Sequence, residues 1–483
     1  MREYLSTAKI IAERILREKN VLIVSHIDAD GITSAGIASK ALENASIPHE
    51  VLFLKQLDSD AINKIKSMGY PLIWFTDLGS GMVHEMHGIS AVITDHHSPS
   101  NMILNVPKER RRTLTEFFDE INKNEILQLN PHFFGKDGGI DISGAGLTYL
   151  VAREMDMKNV YLSQYAIVGA IGDLQDSTFS KLTGTNRYIL KESEEFGFID
   201  VTIDGRFFGR ETRPLFKMLE YASDPIIPGV TGDESGALNF LSSLGIQLKE
   251  NDKWRKWVDL TKEEKKKILS KIVINLLQMG YGYPLVIRLI GEVYTLKNEQ
   301  EGTYLRDARE FATLLNACGR YGNADVGLAI VKGDRDENLK KAINLLTKHR
   351  KIIVDGMDYL KDIGIIKMEN LQYFNAGSHI PDTVVGTIAS MVLSSELADS
   401  SLPIIGFAEN GNGMVKVSGR ATRNLVNNGL DLSKIISKAA VLVGGYGGGH
   451  NIAAGASIPK GTEEKFIEIL VQLIKEHKSS GKN

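Results

Sequence analysis

His26, Asp28 and Asp30 fall within five positions of the segment SHIDADGITS, directly after the apolar run Val21-Leu22-Ile23-Val24. Two carboxylates this close repel each other, so solvent, a helix N-terminus or a cation must offset the charge. Two further acid-bearing segments follow short apolar runs: Asp77 in WFTDLGS, and Asp95, His96 and His97 in ITDHH. A single aspartate after a strand is most often a helix N-cap, and a His-His pair is usually solvent-facing. Three such clusters at the ends of neighbouring strands would instead bring at least four carboxylates and two imidazoles to one edge. Burying that much negative charge without cations is prohibitively costly. The mixed donor set suits Mn²⁺, Mg²⁺ or Zn²⁺, with the imidazoles favouring Mn²⁺ over Mg²⁺. A carboxylate shared between two ions is the arrangement of two-metal phosphoryl-transfer sites.

The elements that must position these residues alternate. NVLIVS, HEVLFL, YPLIWFTD and ISAVITD read as four strands; SAGIASKALENAS and LDSDAINKIKSM between them read as helices. Such alternation predicts βαβ units and a parallel sheet covered on both faces, with ligands beyond the carboxyl ends of its strands. MREYLSTAKIIAERILREKN reads as an amphipathic helix rather than a signal peptide.

The remaining chain divides by texture. Residues 181–282 are an intervening region and helical connector, with turns in GRFFGRETRPL and SDPIIPGVTGDESG and a charged helix in KWRKWVDLTKEEKKKILSKIVINLLQ. Residues 283–475 read as a smaller α/β domain. PLVIRLIGEVYTL is strand-like, LRDAREFATLLNACGR helical, and IIGFAENGNGMVKVSGRAT two strands around an NGNG turn. With 483 residues, 43% hydrophobic and 24% charged, the chain has the composition of a multidomain globular protein. Its net charge of −3 demands no extended nucleic-acid surface, although a narrow basic cleft can hide in a balanced total. One cysteine, Cys318, excludes an intramolecular disulfide and a Cys-based zinc cluster. No run of some twenty apolar residues is present, so a cytoplasmic protein without a membrane span is expected.

HIDADG, the lone Asp77 and DHH resemble the first three motifs of the DHH phosphoesterase superfamily. The fourth, an aspartate on a later helix preceded by small residues, matches YAIVGAIGDLQD, in which Ala166, Gly169 and Ala170 precede Asp173. VKVSGRAT and GGYGGGHNIAAGA resemble the substrate-binding signatures of the companion DHHA1 domain. Nearly the whole chain is thus similar to the RecJ-like single-strand nucleases, most closely the archaeal members. The resemblance implies a catalytic DHH domain over residues 1–180 and a DHHA1 domain over 283–475, with a cleft between them. It implies one metal held by His26, Asp28 and Asp77, and a second by Asp30, Asp77, His96 and Asp173, with Asp77 bridging. His97 would contact the scissile phosphate, and Asp95 would act from behind the histidines. His132, in Asn130-Pro131-His132, matches a family element near the site. Ser418, Arg420, Gly447, Gly448, Gly449 and His450 would grip a strand end or its backbone.

The activity so implied is Mn²⁺-dependent hydrolysis of single-stranded DNA or RNA in replication or repair, with Mg²⁺ as a substitute. A water activated between two ions would attack phosphorus in line. The glycines of GGYGGGH lack the GK[ST] ending of a P-loop, so they imply an anion-binding nest rather than ATP binding. Alternatives are a phosphodiesterase of short oligonucleotides or cyclic dinucleotides, and a scaffold beside the GINS complex or a repair helicase with a residual nuclease site. Polarity and the choice of DNA or RNA are open, with 3′ to 5′ favoured. Lys108, Arg110, Arg111 and Arg112 form a basic cluster after DHH; Arg206, Arg210 and Arg213, beside Phe207 and Phe208, are candidates for a nucleic-acid path or for salt bridges and core.

Overall fold

The computed structural model describes residues 1–100, 126–222, 225–395, 397–411 and 413–480. The basic cluster Lys108, Arg110, Arg111 and Arg112 lies outside them. The described chain packs as two units, Met1–Leu346 and Thr347–Asn483, and the division falls inside a 27-residue helix, Glu337–Ile363.

The N-terminal unit is built on a five-stranded, wholly parallel sheet of β1 (Val21–His26), β2 (His49–Leu54), β3 (Ile73–Thr76), β4 (Ala91–Thr94) and β5 (Ile126–Leu129), ordered β2-β1-β3-β4-β5. Strand periodicity sends alternate residues into two cores. Val21, Ile23, Trp74 and Val92 join one; Leu22, Val24, Phe75 and Ile93 join the other. The first core is closed by α1 (Arg2–Ile15), α2 (Ala29–Asn44), α4 (Gly144–Met155) and α5 (Ser163–Gly172), the second by α3 (Ser59–Ser67). Four strands are expected from the sequence and five form. Edge strand β5 is only half-buried over Ile126–Gln128, so its apolar signal is weak.

α5 runs through the middle of this unit with Ser163 to Ile171 all buried. Its small residues permit the approach: a Cβ at Gly169 would stand 2.4 Å from the Asp30 carboxylate and 2.6 Å from Ala145 Cβ. Helices Ala308–Arg320 and Ala324–Val331 pack against the same layer, the first on α5 and α2, the second on α2.

Between the antiparallel strands Ile199–Gly205 and Ile290–Leu296, residues 207–289 build their own core around Trp257, Leu215, Met218, Leu241 and Ile268. Of the charged stretch after Lys253, only Lys262–Gln278 is α-helical. Its start is fixed by a capping box in which Thr261 and Glu264 each accept the other's backbone N–H. Tyr283–Val286, expected as strand, is a helical turn before Ile290–Leu296.

In the C-terminal unit a six-stranded mixed sheet has the order Ile366–Lys367, Gln372–Asn375, Ile404–Glu409, Met414–Arg420, Ala453–Pro459, Tyr446–Gly449. Helix Val385–Leu393 shares one core with Phe374, Ile404 and Ala408. Helices Leu432–Leu442 and Glu463–Ser480 cover the opposite face through Ile436, Ala439 and Phe466. The NGNG hairpin joins Ile404–Glu409 to Met414–Arg420, with positive φ at Gly411 (80°) and Gly413 (71°). No helix among the described residues is long and apolar enough to cross a membrane.

Candidate metal centre

β1, β3 and β4 end side by side, and each delivers part of one cluster. His26 closes β1, and Asp28 is the N-cap of α2, its Oδ1 accepting the Gly31 N–H at 2.9 Å. The other Asp28 oxygen stands 2.9 Å from His26 Nδ1. A Cβ at Gly31 would fall 2.2 Å from the His26 carbonyl, so glycine there permits the tight strand-to-helix turn. Asp30, fully buried in the first turn of α2, accepts the Gly144 N–H at 2.7 Å and the Ala145 N–H at 3.0 Å from the start of α4. The positive end of that helix offsets part of its charge.

Asp77 follows β3 with φ of 58°, a left-handed conformation that aspartate tolerates better than most residues. It is held there by its N–H bonded to the Thr94 carbonyl at 2.9 Å. Its oxygens lie 3.7 Å from His26 Nδ1 and 3.3 Å from His96 Nε2. His96 Nε2 is also 3.0 Å from Asp173, at the end of α5, and 3.8 Å from Asp30. His96 Nδ1 donates to the Gly138 carbonyl at 2.9 Å, which orients the ring so that Nε2 faces the acids.

The electrostatics record the crowding. Burial, then Asp173, pushes Asp30 up to about 6. Burial, then Asp30 and Asp28, pushes Asp77 well above the carboxylate range. Burial works against protonated His96, but Asp173 and Asp77 outweigh it and raise the imidazole strongly. Burial likewise opposes the charged forms of His26 and Asp28, yet their contact raises the histidine and lowers the aspartate to about 2.

Donor atoms of His26, Asp28 and Asp77 lie within 4.8 Å of one another, and so do those of Asp30, His96 and Asp173. Both Asp77 oxygens, His26 Nδ1 and His96 Nε2 are buried with no hydrogen-bond partner. Orphaned buried acceptors are rare unless something else satisfies them. Their number here, and their mixed oxygen and nitrogen chemistry, fit divalent cations. Asp77 stands where it reaches both triads.

Of the other sequence candidates, Asp95 is buried and its Oδ1 meets His97 Nδ1 at 2.8 Å, while Oδ2 accepts the Ser80 N–H at 2.9 Å. The Asp95 hydrogen bond raises His97, whose side chain is 58% exposed. Asp77, His96 and His97 also form a candidate ligand set, so His97 stands beside the cluster. His132 lies in the loop packed on it: a Cβ at Gly138 would sit 3.3 Å from His132 Nε2 and 1.9 Å from the His96 carbonyl. Two buried residues not singled out from sequence support the site. Asn130 donates to the His97 carbonyl at 2.9 Å and Ser80 Oγ at 3.0 Å; Gln175 donates to the Gly138 carbonyl at 2.9 Å. Only the Asn-Pro-His segment hinted at the first.

Arg206 and Arg210 of the intervening region do not line an open path. Arg206 pairs with buried Asp176, and Arg210 with Asp204 and Asp307 at 2.8 and 2.9 Å, both with side chains almost fully buried. Arg213 lies over the rings of Phe208 and Tyr221. Phe207 is core, edge-on to Trp257.

Ser418 and Arg420 share a strand in the C-terminal unit. Arg420 Nε donates to Ser390 Oγ at 3.0 Å and Nη1 to the Gly419 carbonyl at 2.8 Å. Gly447, Gly448 and Gly449 form the exposed edge strand paired to Ala456, Gly455 and Ala454. His450 closes its turn through a 2.8 Å N–H bond to the Ala453 carbonyl.

An acid- and imidazole-lined centre at the carboxyl edge of a parallel sheet defines a class of divalent-metal α/β protein. The chain belongs, more particularly, to the RecJ-like DHH/DHHA1 superfamily. The DHH-CID domain model matches residues 207–290 and the DHHA1 domain model residues 370–476. An uncharacterised protein of Methanocaldococcus jannaschii is 32% identical over 99% of this chain and 98% of its own length. The fold is similar to that of RecJ from Thermus thermophilus in complex with Mn²⁺, at a TM-score of 0.56 and 16% identity. That match covers 98% of this chain, which spans 55% of the Thermus protein. It is similar too to CDC45 from Entamoeba histolytica, at a TM-score of 0.63 and 13% identity over 98% of both chains.

Proposed function

We propose that the protein is a metal-dependent phosphoesterase whose reaction is exonucleolytic hydrolysis of single-stranded DNA or RNA. The observation that carries this reading is the pair of donor triads joined at Asp77, with its carboxylate buried and unpartnered. The Mn²⁺ and Mg²⁺ complexes of Thermus RecJ, which share the fold, support divalent-cation use. In this reading His26, Asp28 and Asp77 hold one ion, and Asp30, Asp77, His96 and Asp173 the other. Such ions supply a nucleophilic water at neutral pH and offset charge on the phosphate. His97, whose protonated form the Asp95 hydrogen bond favours, presents its free edge outward and donates to a non-bridging phosphate oxygen. Asn130, through the His97 carbonyl, keeps that imidazole in place. Ser418, Arg420, the glycine strand and His450 hold the strand's backbone.

Strands of DNA and RNA labelled at either end, about 30 nucleotides long and offered with Mn²⁺ or Mg²⁺, test this directly. A ladder shortening from one end is expected, and the label that persists reads the polarity, for which we favour 3′ to 5′. Cleavage confined to dinucleotides or cyclic dinucleotides would replace the strand reading with the short-substrate one. A second reading, a scaffold in a replication or repair assembly beside GINS or a helicase, is favoured by the likeness to CDC45 along both whole chains. Equal Mn²⁺-dependent cleavage by wild type and by Asp77→Ala and Asp173→Ala would decide for it.

A further inference from the structure

The C-terminal sheet has one face covered by Leu432–Leu442 and Glu463–Ser480, while the other packs Val385–Leu393 and Leu360 of Glu337–Ile363. Strand register places Tyr446, Ser457 and Lys416 in one row across that second face, and Gly448, Gly455 and Ser418 in the next. Paired residues of an antiparallel ladder share a face, and the row from Tyr446 to Lys416 spans two strand spacings, roughly 10 Å.

Three features of this face are open to a ligand. Tyr446 is 70% exposed, and neither its ring nor its hydroxyl has a partner among the described residues. Ser418 is 4% exposed as a residue, and its hydroxyl, which reaches solvent, makes no hydrogen bond among the described residues. A Cβ at Gly448 would meet nothing within 4 Å, and its φ is ordinary, so neither packing nor backbone conformation requires glycine. Beside them, Lys416 and Arg420 have no carboxylate partner among the described residues, and burial lowers the Arg420 guanidinium. The face therefore offers an aromatic ring, a side-chain-free floor and two uncompensated cations. A flat, anionic, extended ligand fits that combination.

We infer that Tyr446 is a base-stacking platform, with Lys416 beside it taking a backbone phosphate, so that one nucleobase of a single strand rests over Gly448. The inference rests on the proposed action on nucleic-acid strands and adds the residue that grips a base rather than the backbone. Every base has a π-face, so this contact tolerates any sequence.

The test uses the full chain, with Ca²⁺ in place of Mn²⁺ to suppress cleavage, and fluorescence anisotropy on two probes. One is fluorescein-labelled oligo-dT of about 12 nucleotides, within the span of single-strand sites; the other is an abasic strand of equal length. Tyr446→Ala is expected to weaken oligo-dT binding about tenfold, equivalent to about 1.4 kcal/mol, a typical stacking contribution. Tyr446→Phe should retain binding, and the abasic strand should bind wild type and Tyr446→Ala alike. Unchanged oligo-dT binding by Tyr446→Ala, or an equal loss on the abasic strand, overturns the inference. If wild type meanwhile cleaves strands in Mn²⁺, the inference falls alone; if it neither binds nor cleaves them, the proposed function falls with it.

Discussion

Removing divalent cations should make the N-terminal unit less stable as pH rises, the reverse of ordinary acid denaturation. The group that sets the size is Asp30, fully buried, with its pKa carried from 3.8 to about 6 by burial and then by Asp173. At 1.36 kcal/mol per pH unit this corresponds to roughly 3 kcal/mol. Between those two values the folded chain holds a proton that the unfolded chain has released. Stability present below 3.8 is thus withdrawn as pH climbs through about 6. Asp77 and His96, both raised, act in the same direction. Asp28 and Asp95, both near 2, contribute stability lost only as pH falls toward that value, outside the window. Asp30→Asn removes the charge and also spoils one of the bonds from Gly144 and Ala145, costing about 1–3 kcal/mol at every pH. The slope with pH, not the level, is therefore the readout. All three tryptophans, Trp74, Trp254 and Trp257, lie before residue 347, so their fluorescence in urea titrations follows this unit. In EDTA, wild type should lose roughly 2 kcal/mol more than Asp30→Asn between about pH 4.5 and 7.5, the remainder of the shift lying below that window. Mn²⁺ at about a hundred times its Kd should return about 2.7 kcal/mol at the upper pH. Parallel pH curves for the two proteins, or no response to Mn²⁺, would refute the reasoning.

Asp77→Ala and Asp173→Ala should bring Mn²⁺-dependent cleavage below detection, and calorimetric titration of the Asp77 variant should show weakened binding of both ions. Asn130→Ala frees the His97 carbonyl and Ser80 Oγ and should cost about 10- to 100-fold in activity, the usual effect of a residue behind a metal site. Gly138→Ala places a Cβ 1.9 Å from the His96 carbonyl, so the loop must shift and release His96 Nδ1; loss of Mn²⁺ affinity with a retained circular dichroism spectrum checks this. Arg206→Ala strips one of two guanidinium partners from buried Asp176 and should destabilise by about 3 kcal/mol, without changing strand affinity at temperatures where it is folded.

What the sequence made legible follows from how local each signal is. Doubly buried strands such as Val21–His26 announce themselves as unbroken apolar runs, and the glycine and alanine spacing before Asp173 forecasts close helix approach. β5 is hidden because an edge strand needs less apolar surface. Helix Ala308–Arg320 is plain as a helix, but its packing on α5 and α2 depends on contacts with residues far away in the chain. The same holds for Asn130 and Gln175, whose importance lies in which carbonyls they reach. The intervening arginines left a nucleic-acid path and salt bridges equally open for a related reason: a basic run shows charge but not the acids that fold against it. Asp176 lies 30 positions from Arg206, and Asp307 lies 97 from Arg210.

SHIDADGITS posed a choice between capping a helix and holding a cation, and the geometry leaves room for both in one arrangement. Asp28 gives one oxygen to the first turn of α2 and keeps the other against His26. Asp30 gives its oxygens to the amides that open α4 while standing 3.8 Å from His96 Nε2. Each carboxylate is thus tied by a helix N-terminus, whose partial positive charge lowers the cost of keeping it ionised in a buried site. Asp77 has no such tether on its oxygens, and burial, then Asp30 and Asp28, carry its carboxyl pKa well above the ordinary range. A cation arriving at the cluster therefore gains most at Asp77, the residue that touches both triads, which makes Asp77→Asn the sharpest probe. Asparagine accepts the left-handed backbone there and removes the buried charge. The variant should fold more stably than wild type in EDTA and lose the Mn²⁺-induced stabilisation, and a less stable metal-free variant would contradict the account.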